Sequence, residues 1–428
     1  MYLSIDQYAT KYGLTRQTVS KLIKAGEINA EKIGKQYRIR EQSLSLQEPE
    51  LFYIPRKDKA VLNFDKKQAE LDIIYSEDLA SIVPVIYKHE NIWNSLYQGE
   101  NSKIMRTLLH DLAGKIDLVY IDPPYNTGDE FHHLEKGFAY SDKFTQPEFL
   151  YFLRERLVLI RELLSEKGSI YIHIDKKIGH YVKVLADEIF GFDNFINDIT
   201  RIKCNPKNFG RQAYGNQTDM ILFYAKKKNY NIWNNVSEEL DVNERANFFK
   251  KWHPKHGYYT THPIHAPGET RNGDTGEDWM GMSPPPGRHW RYSRAELDRL
   301  NAEGLIEWSP SGNPRKIVFA KDHSGKKIQD VWEFKDSGLS RSHYPTQKNL
   351  DLLNRIVEVS SNEDSIVMDC FCGSGTTIIA AEKLKRRWIG IDESPLAITV
   401  SSDRLNELNS SFNSFRCNQP SRYCLNSL

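Results

Sequence analysis

Ile366-Val367-Met368-Asp369-Cys370-Phe371-Cys372-Gly373-Ser374-Gly375-Thr376-Thr377 runs from a short apolar strand into a Gly-x-Gly turn. Residues 378–384 continue with helical apolar spacing, and Trp388-Ile389-Gly390-Ile391 reads as a second strand ending in Asp392. Glycines at a strand-to-helix turn let a ligand approach the backbone closely. The helix N-terminus beyond presents free N–H groups to a negative group such as a carboxylate. A lone Gly-x-Gly means a tight turn by default. Strand, turn, helix, strand and terminal acid together describe a βαβ unit that holds a nucleoside, with the acid at the ribose.

Far upstream, the apolar run Ile116-Asp117-Leu118-Val119-Tyr120-Ile121 is closed by Asp122-Pro123-Pro124-Tyr125. It reads as a buried strand that stops at a rigid, extended loop. Proline fixes φ and has no N–H, so the carbonyls beside it are held outward instead of joining a ladder. An acidic side chain, a fixed carbonyl and an aromatic ring then share one loop at a strand's C-terminal end. That set suits a planar amine, with two acceptors for its hydrogens and a face to stack on. The exocyclic N6 of adenine is such an amine. Alone, the four residues fit a proline-stiffened turn equally well; the nucleoside unit downstream breaks the tie.

Together the motifs resemble the S-adenosylmethionine-dependent DNA amino-methyltransferases. Asp-Pro-Pro-Tyr first and the Phe-x-Gly-x-Gly-Thr-Thr motif later is the order of their β class. The likeness extends through Gly99-Glu100-Asn101, Asn126-Thr127-Gly128 and Tyr344-Pro345-Thr346-Gln347-Lys348. It points to the modification subunits of type III restriction systems and their solitary relatives, over about residues 90 to 410. The resemblance implies a Rossmann-like methyltransferase sheet with permuted motif order, and methylation of adenine N6 in double-stranded DNA. It implies catalytic roles for Asp122, Pro123, Pro124 and Tyr125. Cofactor contacts would come from Asp369, Phe371, Gly373, Gly375 and Thr376, with Thr346 and Gln347 beside them and Asp392 on the ribose. Glu100 is a further expected cofactor contact, although many relatives carry Asp there, and they often carry Pro where Cys370 stands. Cytosine-N4 enzymes of the same logic usually have Ser in place of Asp122.

A chain of 428 residues is long enough for two or three domains. Hydrophobic residues make up 39%, without an apolar run of the ~18 residues that a membrane span needs. The opening Met1-Tyr2-Leu3-Ser4-Ile5-Asp6 lacks the basic and apolar regions of a signal peptide. Five cysteines show no repeated metal-ligand spacing, so reduced thiols and a cytoplasmic location are expected.

Net charge is only +1, yet residues 1–45 hold eight basic against four acidic side chains. Local basic patches carry phosphate contacts even in a near-neutral chain. Ser4-Ile5-Asp6-Gln7 is a capping-box start, with Tyr8, Ala9 and Tyr12 on one helical face. Gly13 makes a turn, and Thr15 caps a second helix with Val19, Leu22 and Ile23 inward. Residues 28–39 alternate around Gly34-Lys35 as a hairpin does. This pattern resembles the winged helix-turn-helix of excisionase-like modules, which implies Arg16, Gln17 and Lys21 at the groove and Lys35 and Arg38 on the wing. A protein-interaction module with a solvated charged face is the competing reading.

Residues 46–90 read as linker and lead-in, with 71–75 open between strand and half a helix. Residues 148–166 form an amphipathic helix that Gly168 closes, followed by a strand at 169–174, a helix at 181–190 and a strand at 217–225. The alternation predicts a doubly wound α/β sheet with ligands at strand C-terminal ends beside the switch point. His173 and Asp175, near such an end, read as turn or cap residues. Residues 231–340 break the alternation and interleave Trp and His with Arg, which suits base stacking and phosphate contact. The resemblance puts the target-recognition region here, with Arg288 and Arg291 on DNA; a loop-rich structural subdomain is the alternative. His253, His256, His262 and His265 have no cysteine partners, so no metal is expected. Residues 91–230 and 341–410 are then the two halves of the methyltransferase domain, and 411–428 a C-terminal tail. Expected partners are double-stranded DNA, a separate restriction subunit and a second copy of the chain, with no membrane. Cytosine-N4 methylation, RNA methylation and a non-catalytic DNA-binding regulator stay open.

Overall fold

The computed structural model describes residues 2–12, 15–24, 30–33, 36–40, 60–86, 93–124, 130–133, 137–141, 145–206, 212–270, 272–336 and 347–417. Among these, the largest sheet has ten strands. Their order across the sheet is Val331–Glu333, Phe195–Ile202, Thr218–Ala225, Leu164–Ile174, Ile116–Ile121, Ile366–Asp369, Arg387–Asp392, Ser95–Gln98, Asn413–Cys417 and Ile82–Ile86. From Leu164–Ile174 to Asn413–Cys417 every neighbouring pair is parallel. Thr218–Ala225 and Ile82–Ile86 run antiparallel to their inner neighbours. This is the doubly wound, Rossmann-like class expected from the alternation of elements.

Apolar composition decides which strands are central. Ile116–Ile121 and Ile366–Asp369 are buried at almost every position, hence on both faces, as parallel strands covered by helices must be. Asp117 interrupts the run and is put to use: its carboxylate accepts the Ser165 hydroxyl at 2.9 Å and the Ile366 N–H at 3.3 Å. The two strands pair directly, Val367 opposite Leu118 and Met368 opposite Val119. After them the chain departs in opposite directions, to Leu164–Ile174 on one side and to Arg387–Asp392 on the other. That divergence is the switch point, and it sets the Asp122 and Gly373 loops side by side.

The Gln146–Leu163 helix starts at a capping box of Thr145 and Glu148 and buries Phe149, Phe152, Leu153, Leu157 and Ile160. Gly168 does not close it. The helix ends at Leu163, and Gly168 lies inside the Leu164–Ile174 strand beside a register shift. A Cβ there would stand 2.8 Å from the Ile116 carbonyl oxygen, so the glycine serves close backbone approach. Residues 71–75 fall mostly in a short helix, Glu70–Ile74. Asn413–Cys417, expected in a tail, is a strand of the large sheet; five residues at its flank are too short to show a period.

Residues Asn235–Ile328 form a second compact unit. Its four-stranded antiparallel sheet runs Lys251–His253, Gly257–Pro263, Pro314–Phe319, Ile306–Trp308, and Ile264, Trp279, Trp290, Leu297 and Leu300 form a separate core. The unit is narrower than the expected 231–340. Asn234 donates to the Glu358 and Ser361 carbonyls, and Val331–Glu333 pairs with Phe195–Ile202.

The N-terminal residues form helices Ile5–Tyr12 and Arg16–Lys24 with a three-stranded sheet of Tyr2–Ser4, Gln36–Arg40 and Ala30–Ile33. Ser4 and Gln7 close the capping box in both directions, at 2.9 and 3.2 Å, and Thr15 accepts the Thr18 N–H at 3.1 Å. Val19, Tyr8 and Ala9 are buried together, with Leu22 and Ile23 packed on them. The Tyr2–Ser4 strand was not legible, because three residues carry no period. Among the described residues no helix is long and apolar enough to cross a membrane.

Gly168→Ala forces a methyl against the backbone of the neighbouring strand. It is expected to lower stability by ~1–3 kcal/mol, read as a lower denaturant midpoint at unchanged slope. An unchanged midpoint contradicts the close approach.

Candidate active site

The Gly-rich loop is held from behind. Ser401 donates to the Gly373 carbonyl at 2.9 Å and Arg404 to the Ser374 carbonyl, both from the Pro395–Glu407 helix. Gly373 and Gly375 have φ of +49° and +78°, a region costly for residues with a Cβ. A Cβ on Gly375 would also stand 2.7 Å from Ser401 Oγ. Gly375 is the N-cap of the Thr376–Lys383 helix and has no side-chain cap bond, so the first N–H groups of that helix lack such a partner. Asp369, 2% exposed, accepts the Phe371 N–H at 3.0 Å and the Thr377 hydroxyl at 2.5 Å. Burial pushes its carboxyl up to about 7 against those bonds, and Asp122 and Asp392 act in the same direction as burial.

At the end of the next strand Asp392 accepts the Gly373 N–H at 2.8 Å on one oxygen and the Ser394 N–H at 2.9 Å on the other. Its neighbour Glu393 has a buried Oε1 with no hydrogen-bond partner among the described residues. Burial first, then Glu100 and Asp392, push the Glu393 carboxyl up to about 7.

Glu100, expected at the cofactor, is the N-cap of the Asn101–Leu112 helix, accepting the Ser102 and Lys103 N–H groups at 3.2 and 3.0 Å. It also accepts the Ser102 hydroxyl at 2.7 Å and pairs with Arg156. Asn101 donates to the Cys370 carbonyl at 2.7 Å and accepts Arg156 Nε at 2.8 Å. The Arg156 guanidinium lies 3.7 Å from the Phe152 ring centroid, and Phe152 meets Phe371 at 5.9 Å. Segments distant in sequence are thereby joined at the start of the Gly loop.

Asp122 follows directly on Ile121, half-buried, with Pro123 buried and Pro124 half-buried. Lys348 Nζ lies 2.5 Å from Asp122 Oδ2, the two side chains 14% and 18% exposed. At that coverage water screens the pair less than it would at the surface. Nearby in the fold, the Tyr120 hydroxyl and His173 Nδ1 are 2.7 Å apart, and His173 Nε2 is 3.2 Å from Asp219. Asp219 also takes Lys203 at 2.6 Å and Arg201 at 3.4 Å, and Arg201 pairs with Asp336. Burial opposes ionisation of Asp219, yet His173 and Lys203 hold it well below the usual carboxylate range. Burial pushes His173 down, with Asp219 and Asp122 opposing. His173 is therefore not a turn residue but a fully buried strand residue. Asp175 is the cap, accepting the Lys177 N–H at 2.8 Å.

Gln347 is half-buried next to Lys348 in the chain. Tyr125, Thr346, Lys35 and the side chain of Arg38 lie outside the described residues. Arg16, Gln17, Ser20, Lys21 and Lys24 line a shallow surface concavity. Arg16 pairs with Asp6 at 3.0 Å, but both are exposed, so the contact holds little energy. Exposed Arg288 and Arg291 both turn to His265, at 3.1 Å from its Nδ1 and 3.0 Å from its carbonyl oxygen. Among the described residues no group of three or more His, Cys, Asp or Glu could hold a metal. Sequence reasoning missed Lys348, Asn101, Arg156, Ser401 and Arg404 as site residues. Lys348 and Asn101 stood inside quoted motifs; the others carry no local signal.

A DNA methylase family profile matches residues 116–402, and a helix-turn-helix domain profile matches residues 2–45. Type II methyltransferase M.EcaI of Enterobacter cloacae is 41% identical, over 79% of this chain and 76% of its own length. The probable type III restriction-modification enzyme HindVI Mod subunit of Haemophilus influenzae is 24% identical over 81% of this chain. The StyLTI Mod subunit of Salmonella typhimurium is 27% identical over 75% of it. This chain spans 55% of the length of each Mod subunit.

The raised carboxyl of Asp369 makes native stability depend on pH. Below the unfolded-state value of about 3.9 both states hold the proton. As pH rises toward 7 the unfolded chain releases it first, so this contribution is lost across that window and is constant above it. Asp369→Asn carries no such titration. The variant is expected to gain stability relative to wild type between about pH 4 and 7, measured as denaturant midpoints across pH. Parallel curves for the two proteins contradict the raised carboxyl.

Proposed function

The chain belongs to the DNA methylase family, and we propose that it transfers a methyl group from S-adenosylmethionine to the N6 amine of adenine in double-stranded DNA. One observation carries this reading. The Asp122 carboxylate, paired with Lys348, stands at the end of the strand directly beside the one that feeds the Gly373 loop. An acceptor for an amine and a cradle for a nucleoside thus share one edge of the sheet.

The residues present fit the donor. The backbone at Gly375 has no room for a Cβ, an uncapped helix N-terminus suits a carboxylate, and the buried Glu393 Oε1 has no donor among the described residues. When bound, S-adenosylmethionine supplies a methyl on a positively charged sulfur that leaves as a neutral thioether, so alignment suffices. Asp369, Phe371, Gly373, Gly375 and Thr376 border its methionine end, with Thr346 and Gln347 beside them. Asp392 serves the ribose side by holding the loop and through the lone pairs that its backbone partners leave.

Adenine inside a duplex cannot reach a strand-end pocket, so the base must flip out, and Tyr125 stacks on it. N6 is conjugated into the ring and weakly nucleophilic. Asp122 accepts one N6 hydrogen and the Pro123 carbonyl the other, which raises electron density on nitrogen and aims it. Lys348, on Oδ2, fixes the rotation of the carboxylate. The N6 proton becomes acidic as the N–C bond forms, and it passes to Asp122 and then to solvent. An acid at this position favours adenine, since cytosine-N4 enzymes of this design usually have serine. The N-terminal helix-turn-helix and the Arg288–Arg291 region supply DNA contacts. A restriction-modification system supplies the setting, with cleavage on a separate subunit and the cytoplasm as compartment.

Asp122→Ala is expected to cut methyl incorporation at least ~100-fold while S-adenosylmethionine affinity stays within about threefold of wild type. Lys348→Ala should fall between them. Radiolabelled methyl transfer and calorimetry check both, and nucleoside analysis of the labelled DNA checks the base. Near wild-type turnover by Asp122→Ala removes the acceptor role, and label in cytosine overturns the base assignment.

The N-terminal module predicts a salt effect. Arg16, Lys21 and Lys24 changed together to Ala should raise the DNA concentration needed for half-maximal methylation. Each lost phosphate contact should flatten the slope of log affinity against log salt by roughly 0.9. Unaltered affinity and slope would assign the module to a protein partner instead.

A further inference from the structure

Arg201 is fully buried, on a strand that carries neither motif. A guanidinium is costly to bury, and apolar packing would hold a strand as well. Two acids meet it, and each leads by a different route to the Asp122–Lys348 pair.

The first route crosses the sheet. Arg201 stands opposite Asp219, and Ile221, two residues on, stands opposite His173. Tyr120 pairs with Tyr171, two residues before His173. Side chains alternate along each strand, so Arg201, Asp219, His173 and Tyr120 share one face. Arg201 lies 3.4 Å from Asp219 Oδ2, which in turn is 3.2 Å from His173 Nε2. The ionised Asp219 accepts the Nε2–H, which leaves Nδ1 to accept the Tyr120 hydroxyl at 2.7 Å. Tyr120 is thus fastened at its tip to the neighbouring strand, two residues before Asp122.

The second route leaves the sheet. Arg201 donates to the Phe334 carbonyl at 2.9 Å and pairs with Asp336, whose N–H donates to the Lys203 carbonyl at 3.0 Å. The carbonyl of Lys335, between those two, accepts the Asn349 side-chain amide at 3.0 Å. Asn349 caps the Leu350–Ser360 helix by accepting the Asp351 N–H at 2.8 Å. The residue before it is Lys348, which holds Asp122 Oδ2. Arg355 of the same helix adds a tie, its guanidinium 4.5 Å from the Phe334 ring centroid. The two routes therefore close on Asp122, one at its main chain and one at its side chain.

We propose that Arg201 is a positioning residue for methyl transfer. Through Asp219, His173 and Tyr120 it sets the main chain at Asp122. Through Asp336 and Asn349 it sets Lys348, and with it the rotation of the Asp122 carboxylate. A small displacement of an acceptor slows the aligned transfer and leaves binding of the donor and of DNA unchanged. The inference rests on the reading of Asp122 as the acceptor for the amine.

Removing Arg201 would leave two acids unpaired in the interior and threaten the fold, so each route is cut at a gentler point. The Asp336 side chain is 38% exposed, which makes Asp336→Ala tolerable, and Tyr120→Phe keeps the ring. The full chain is assayed for radiolabelled methyl transfer into genomic DNA from a methylation-deficient host. Each variant is expected to lower kcat about tenfold, with KM for S-adenosylmethionine and for DNA at the wild-type value. In a Lys348→Ala background, Asp336→Ala should cost less than about twofold, since the residue it acts through is gone. A purely structural role would cost the same factor in both backgrounds. Wild-type kcat in either variant overturns the inference, as does a loss confined to KM or an equal loss from Asp336→Ala in the two backgrounds. Near wild-type turnover by Asp122→Ala overturns the acceptor reading itself, and this inference with it.

Discussion

The direct pairing of Ile116–Ile121 with Ile366–Asp369 is the constraint on which the rest of this molecule depends. Parallel pairing puts both C-terminal ends on one edge, and the opposite departures of the chain open a crevice between them. Neither strand could be an edge strand, since apolar side chains fill both faces. Burial therefore selects the centre of the sheet for the strands that bear the two motifs. Asp117 marks the junction, with one carboxylate bonded to both neighbouring strands.

Charge is used inside this protein far more than its near-neutral total suggests. Arg156 joins Glu100, Asn101 and Phe152 at the Gly loop, and Arg201 joins Asp219 and Asp336 near Asp122. A third cluster links Arg161 with Glu70 at 2.6 Å and Lys67 with Glu188 at 2.7 Å. Buried ion pairs add little net stability over apolar packing, but breaking one leaves a charge uncompensated. Their effect here is positional. They hold segments distant in the chain at defined distances, the first two beside the Gly373 and Asp122 loops, where an apolar contact could slide.

The acids around the pocket show how environment separates one residue type into several roles. Asp219 is held ionised by His173 and Lys203, whereas burial holds Asp369 toward the neutral form. Asp392 and Glu100 serve as acceptors for backbone N–H groups. Asp122 follows a central strand into the proline loop and meets Lys348. Identical carboxylates thus differ through partners and solvent access.

The sequence by itself determined what is written in a few adjacent residues. The strand, Gly turn, helix, strand and acid of residues 366–392 was legible because each part has a local cause, an apolar period or a positive φ. The capping box of Ser4 and Gln7 was legible for the same reason. Tertiary structure alone decided that Lys348 would meet Asp122, that Glu100 would be committed to Arg156, and that Gly168 would lie in a strand against Ile116. It also decided that the lead-in helix Glu70–Ile74 would be clamped by arginines, Arg106 on the Ile73 carbonyl and Arg161 on Glu70, while Leu71, Ile73 and Ile74 join the main core. Such contacts leave no period in the chain. They form only when sheet order brings remote segments within hydrogen-bond reach, so even where a residue stands in a legible motif, nothing beside it in sequence names its partner.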